Sequence, residues 1–443
     1  MKKSDKPLFS KPVLAGLMIF ISLMVLVLNL TAPPSKYPEA HIEYWQTDKQ
    51  IPITWVYQNT WQGTNKLELR IRFNHGRKDD SKLGLTDAVF SLLMLDTLPL
   101  STSSINQRLS DVTTQLTYHV SNEESELAIT LNSEPNFLSA SMEILIPWFN
   151  NPDFKNRTFH NWQQGHIPYY LSNKAQLEQK LFPQANNLPL DGVLDEYSLT
   201  LQDIQQHYQT LLGQIDKITL AGNINGVQEM QTYLAQLTKN AAYSETPAPM
   251  NIAPRIGLQT QVGPQLLQSH GAFAFNQVNN AKEWISLQLW LPYYLSQLKQ
   301  ASAPSYVQLH FESSPQQKWA WWSIQHEQSP LLDASKPEAK YRQDEYFSRS
   351  VLDESITSFN QNAFEQSLTR YQEKLANYTQ SPSWWARMAS QETLALEEQE
   401  GLTVGQWNET YGEAVKDLSF KEFNANIRRL IMTSSLQELQ QRQ

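Results

Sequence analysis

From Pro12 to Ser35 the chain carries no charged residue, and the run Val13–Leu30 reads VLAGLMIFISLMVLVLNL. About 20 apolar residues suffice for a helix to cross a bilayer. Lys2, Lys3, Lys6 and Lys11 stand before this run against one acid, Asp5. Positive charge on that side predicts a cytoplasmic N-terminus. The expected organisation is a cytoplasmic tail at 1–12, a single transmembrane anchor at 13–31 and a polar linker at 32–50. The bulk of the chain would follow on the periplasmic side of an inner membrane. A cleaved signal peptide is the rival, but its apolar core is about 7–15 residues long and ends in a small-x-small site. Here the run is longer, and Leu30 precedes Thr31-Ala32 where a small residue is needed.

The 443 residues allow two domains with their own cores, and 11% aromatic content with 13 Trp excludes a disordered chain. With no cysteine, disulfide frameworks, zinc ribbons and thiol nucleophiles are excluded. The net charge is −9, and since residues 1–11 contribute +3 the remainder carries −12. That balance argues against nucleic acid as a partner. There is no Gly-x-Ser-x-Gly elbow, phosphate loop or dinucleotide fingerprint.

Leu67, Leu69, Ile71 and Phe73 alternate with Glu68, Arg70 and Arg72, which predicts a half-buried strand. Leu85, Ala88, Val89, Leu92 and Leu93 then follow helical spacing. Strands are expected near 115–120 and 127–131, helices from about 136 and 156, and a strand over Ile218–Ala221. The Pro-rich segment 241–262 reads as a linker between a first half at 51–240 and a second at 263–443. In the second half, strands are expected at Ala272–Val278, Trp284–Leu289, Tyr306–Phe311 and Lys318–Ile324, then helices to about Leu436. Thr200–Asp203 and Ser419–Glu422 are capping boxes 219 residues apart, the trace of an internal repeat. That spacing carries a strand near Ile53–Tyr57 onto Ala272–Val278. After Ser435 only eight residues remain, so the second half is expected to lack its closing strand.

The stretch Leu67–Thr97 resembles the insulinase/pitrilysin metallopeptidases, which include the mitochondrial processing peptidases. The shared features are an amphipathic strand, a turn at Gly76-Arg77-Lys78-Asp79-Asp80 and a helix from Gly84 that aligns without gaps. Leu199–Ile204 and the strand before Gly222-Asn223 also look like the end of a family half. The resemblance implies two tandem α/β-roll halves facing each other as a clamp, and with the transmembrane helix before them the expected fold class is α+β. The family's chemistry uses an inverted His-x-x-Glu-His, in which two His hold zinc and the Glu polarises the bound water. Here those positions are Asp87, Phe90 and Ser91.

The family's third ligand is a downstream Glu, yet no acid lies between Phe154 and Leu177, where His160 and His166 are the only metal-capable residues. The Arg and Tyr that grip substrate in family second halves are half missing. No Arg occurs from Ile256 to Tyr341, though Tyr293, Tyr294 and Tyr306 are present. The resemblance therefore implies a catalytically degenerate member with no metal, no cofactor and no catalytic residues. Its partner would be an active zinc-peptidase homologue in a heterodimer, and its ligand an extended peptide. Rival readings are a peptidase with a relocated site, for example Asp87 with His166, and an envelope scaffold unrelated to proteolysis. Trp319 and Trp321 should share one strand face and Trp322 the other, as core packing or as an aromatic partner surface.

Overall fold

In a computed structural model of the chain, residues 37–443 are described apart from 96, 98–113, 166–171, 184–198, 246–251, 253–254, 261–265, 303, 315–317, 328–345, 392–401 and 443; of the first 36 only Met24 is described. The expected anchor at 13–31 therefore lies outside the described residues, and among the described residues no helix is long and apolar enough to cross a membrane. Glu39–Gln443 forms one compact unit.

The first half runs β1 (His41–Gln46), β2 (Pro52–Tyr57), β3 (Lys66–Phe73), α1 (Leu85–Leu93), β4 (Gln115–Val120) and β5 (Ser125–Asn132). It continues with α2 (Pro135–Asn150), α3 (Asn156–Gly165), α4 (Asn173–Leu181), α5 (Leu201–Leu212), β6 (Ile215–Ala221) and α6 (Val227–Leu237). The second half runs β7 (Gly257–Thr260), β8 (Leu266–Ala274), α7 (Ala281–Ser302), β9 (Pro304–Ser313) and β10 (Lys318–His326). It ends with α8 (Phe347–Thr357), α9 (Gln361–Tyr378), α10 (Pro382–Ser390), α11 (Val404–Asp417), α12 (Phe420–Leu430) and β11 (Gln437–Arg442).

The sheets are ordered β1-β2-β6-β3-β5-β4 and β7-β11-β8-β10-β9. Leaving aside the extra edge strand β1, the two orders are the same, and so are the directions. The last strand of each half inserts parallel to the first and antiparallel to the second. Ile53 pairs with Ile218 and Gly257 with Gln437, so the 219-residue spacing of the capping boxes also relates the closing strands.

Several expectations need correction. The closing strand of the second half is present, because six residues suffice when both edges are bonded. The counterpart of β2 is β7 and not Ala272–Val278, whose first residues belong to β8, the counterpart of β3. Consequently β1 lies inside the stretch 32–50, and β7 inside 241–262, that the sequence reading assigned to linkers. Trp284–Leu289 is helical: it opens the 22-residue α7, which packs against α11, α12, α8 and β9. Ile285, Leu287, Leu289 and Trp290 are all buried, and a helix buried on several sides imitates the alternation of a strand.

The apolar face of β3, with Leu67, Leu69, Ile71 and Phe73, packs under α1, α2 and α5 in one core. Its polar face is not open to water as the alternation suggests, since Glu68 and Arg72 are 4% and 2% exposed. What covers it is α10, a helix of the second half, lying against β6, β3 and β2. The charges on β3 and β6 receive that helix. Ser383 Oγ donates to Glu68 (2.6 Å), Lys217 Nζ donates to the Ala389 carbonyl (2.7 Å), and Arg72 donates to the Ser390 carbonyl. Cations at a helix C-terminus satisfy orphan carbonyls and oppose the macrodipole. The exchange is reciprocal: α4 of the first half packs on β8 and β11 of the second. Leu177, Leu181 and Phe182 join Ala272, Ala274, Trp319 and Leu439 in a second core.

Trp319 and Trp321 face α4, and Lys174 lies over both rings at 5.8 and 5.7 Å. Trp322 points to the other face beside Phe347, and its ring lies across Gly271, its partner on β8. A Cβ on Gly271 would stand 2.2 Å from that ring, so only glycine admits it.

Candidate functional site

Helix α1 begins after Gly84, whose backbone is left-handed (φ 72°), and presents Asp87, Phe90 and Ser91 on successive turns. Each of the three is engaged in a contact unrelated to metal binding. Arg77, in the 3-10 turn Arg77–Asp79, grips both carboxylate oxygens of Asp87, with Nε to Oδ2 at 2.5 Å and Nη2 to Oδ1 at 2.8 Å. Phe90 is fully buried. Its ring meets Phe73 edge-on at 5.5 Å and stacks on Tyr118 at 5.8 Å. Ser91 Oγ lies 2.9 Å from the Tyr118 hydroxyl. The position of the family's first zinc ligand thus holds an anion already neutralised by a fixed cation. The position of the base is filled by hydrocarbon, and that of the second ligand is hydrogen-bonded to a phenol.

His160 is exposed on α3, and His166 lies outside the described residues. Of the second-half tyrosines, Tyr293 and Tyr294 are on α7, the latter buried against Trp290, while Tyr306 is exposed on β9. The three do not converge on one surface.

Tyr118 opens onto a cavity of about 340 Å³ between the halves. Its walls are β4 and β5 on one side, Phe311–Ser314 and Trp319 on the other, with Lys174 and Glu178 from α4 and Arg387 from α10. The two exchanged helices therefore supply part of the lining. Charge pairs line it: Arg70 with Glu126 along the first-half wall, and Lys174 with Glu312 across the halves at 2.7 Å. Burial pushes the Glu124 carboxyl up to about 8, although Arg72, with Nε 4.0 Å away, draws it down. Burial opposes ionisation of Glu312 too, but Lys174 and the Trp321 N–H hold it below the usual carboxylate range. Among the described residues the outer edge of β4 pairs with no other strand, and it borders this cavity.

A second cluster sits at the other end of α1. His75 lies two residues beyond β3, Asp80 closes the turn before α1, and His207 projects from α5. Their ligand atoms all lie within 4.8 Å of one another. Sequence inspection missed this group because the helical spacing of a zinc peptidase was the pattern sought. The usable signal was a His just past the first core strand, an acid before α1 and a His on the capping-box helix.

No protein-family model matches the chain, and no curated protein sequence does. Solved structures do match, over nearly all of it. The inactive domain of an M16 peptidase from Pseudomonas fluorescens superposes with a TM-score of 0.65 at 12% identity, covering 90% of this chain and 98% of that one. The fold is that of the M16, insulinase-type peptidases. A protease from Helicobacter pylori matches this M16 fold equally well, with a TM-score of 0.64 at 12% identity over 91% of this chain and all of the other. The periplasmic protease PqqL from Escherichia coli matches with a TM-score of 0.63 at 12% identity; 93% of this chain corresponds to 47% of PqqL, so the chain spans about half of that protein. At such identity the M16 likeness is one of architecture, as the family resemblance read from residues 67–97 implied.

Proposed function

We propose that this chain is a non-catalytic M16-type protein, anchored in the inner membrane by residues 13–31, that serves as partner or substrate clamp of an active zinc peptidase in the cell envelope. The observation that carries the reading is the Arg77 guanidinium on Asp87. A metal at this position would have to displace a two-point charge-assisted contact. A zinc hydrolase needs three good protein ligands and a base beside the bound water. Phe90 supplies no base, and the 154–177 window supplies no acid. The fold still offers a clamp for an extended peptide. Among the described residues β4 is an edge strand beside a polar cavity, the arrangement by which a peptide adds a strand to a sheet. That PqqL is about twice as long and is a periplasmic protease supports pairing with a second M16 unit outside the cytoplasm.

The test uses full-length protein extracted from membranes with detergent. It is expected to cleave no unfolded peptide alone, and Asp87→His with Phe90→Glu and Ser91→His is expected not to create full activity. Co-purification with an M16 homologue carrying an intact zinc motif supports the pairing. Chelator-sensitive cleavage that disappears in Asp87→Ala would overturn the reading in favour of a relocated active site.

A further inference from the structure

We propose that His75, Asp80 and His207 form a buried structural site for one divalent transition-metal ion of the zinc class, separate from the degenerate face of α1. Zn–N and Zn–O bonds are about 2.0–2.2 Å, so donor atoms in a tetrahedron stand roughly 3.3–3.6 Å apart. His207 Nε2 lies 3.4 Å from Asp80 Oδ1, and His75 Nε2 lies 3.9 Å from the same atom. The two rings are edge-on, with centroids 4.8 Å apart. The donor set, two imidazoles and a carboxylate, suits zinc and its neighbours and is too rich in nitrogen for calcium or magnesium.

Hydrogen bonding accounts for most of this cluster but not all of it. Asp80 caps α1, accepting from the Thr86 amide at 3.1 Å and the Thr86 hydroxyl at 2.5 Å. His207 Nε2 lies 2.9 Å from the same hydroxyl. His75 is left over: the residue is 7% exposed, and its Nε2 is buried without a hydrogen-bond partner. At 3.9 Å from Asp80 it is beyond hydrogen-bond reach. A buried ring nitrogen left without a partner loses the hydrogen bond it had to water and destabilises the fold. A metal ion at the common focus of the three donors removes that cost. Binding draws the donors, now up to 4.8 Å apart, closer together; both imidazoles carry their proton on Nδ1, and the Nε2 lone pairs turn inward. Asp80 is the anionic ligand, with the Thr86 hydroxyl beside it at the fourth position. The ion ties the end of β3 and the turn before α1 to α5, so its role is structural.

The test is zinc binding by the full-length, detergent-solubilised protein after treatment with a chelator, using Zn²⁺ alone as the probe. One equivalent is expected to bind and to raise the melting temperature. His75→Gln and His207→Gln, which keep a polar side chain, are each expected to weaken binding at least about tenfold. His310→Gln, on an exposed strand position, is expected to match wild type. Because a buried variant can unfold, X-ray absorption of the wild-type zinc form provides an independent reading, and two imidazole ligands are expected. Uptake no greater than exposed histidines give, uptake that survives combining His75→Gln with His207→Gln, or a spectrum without two imidazoles would overturn the site. Loss of uptake in Asp87→Asn with retention in His207→Gln would place the metal on the α1 face and overturn it as well. Peptide cleavage enters none of these readouts, so this proposal and the non-catalytic reading stand or fall separately.

Discussion

A guanidinium and a metal ion solve the same electrostatic problem for a half-buried carboxylate, and Asp87 has taken the first solution. Its side chain and that of Arg77 are each 12% exposed. Removing one member of a buried pair leaves the other charge uncompensated at about 3–5 kcal/mol, a cost that residual solvent access reduces. Asp87→Ala and Arg77→Ala are each expected to destabilise the protein by about 2–3 kcal/mol. The Asp87→Ala, Arg77→Ala double variant should cost far less than the two single losses combined. Chemical unfolding of the four proteins checks this, and additive losses would show that the pair is not coupled. That Asp87, Phe90 and Ser91 share successive turns of one helix was legible in the sequence, because the apolar spacing from Leu85 to Leu93 is helical. Their present contacts were not. Arg77 and Tyr118 reach α1 from a turn and from a strand, and no periodicity in α1 announces them. His75, Asp80 and His207 were hidden for the same reason, since the fold brings them together and their spacing does not.

At the level of elements, the patterns that survived translation into structure are those with one apolar face. The alternation of β3 and the capping boxes of α5 and α12 are found where the sequence put them. A helix with buried apolar residues on more than one side was misread, as α7 shows. The exchanged helices were invisible for a subtler reason. A helix with one apolar stripe reads the same whether it covers its own sheet or another, so nothing in residues 173–181 says that Leu177 and Leu181 belong to the core of the second half. The charged face of β3 was the available hint. Two charges on one strand that are both nearly inaccessible require a polar cover, and the exposed end of a helix is one. Leu177→Ala is expected to cost about 2–5 kcal/mol as a fully buried truncation. Hydrogen exchange locates the loss: faster exchange is expected at Ala272 and Ala274, about a hundred residues away in the second half. Acceleration confined to the first half would refute the docking of α4.

For the molecule as a whole, the cavity between the halves sets how stability responds to pH. Glu124 has its folded pKa raised to about 8 by burial, well above its ordinary value of 4.5. Below pH 4.5 the carboxyl is protonated in both states and folding is unaffected. Between 4.5 and 8 the unfolded chain releases this proton while the folded protein keeps it, so stability falls as pH rises, and above 8 the cost is fully incurred. Glu124→Gln is therefore expected to match wild type at pH 4 and to gain melting temperature over it progressively up to about pH 8. An advantage that shrinks with rising pH would contradict the assignment. The reciprocal exchange of α4 and α10 has a further effect, on motion. Two leaves joined at one edge can swing about a hinge, and the gap between them then widens at little cost. Here each leaf holds a helix of the other. Parting the sheets means pulling Leu177 and Leu181 out of one core and stripping Lys217 and Arg72 from the end of α10 in the same movement. Widening the cavity is thus a local unfolding event, with the slow, strongly temperature-dependent rate of unfolding, and whatever enters it at ordinary speed must pass between side chains at the rim.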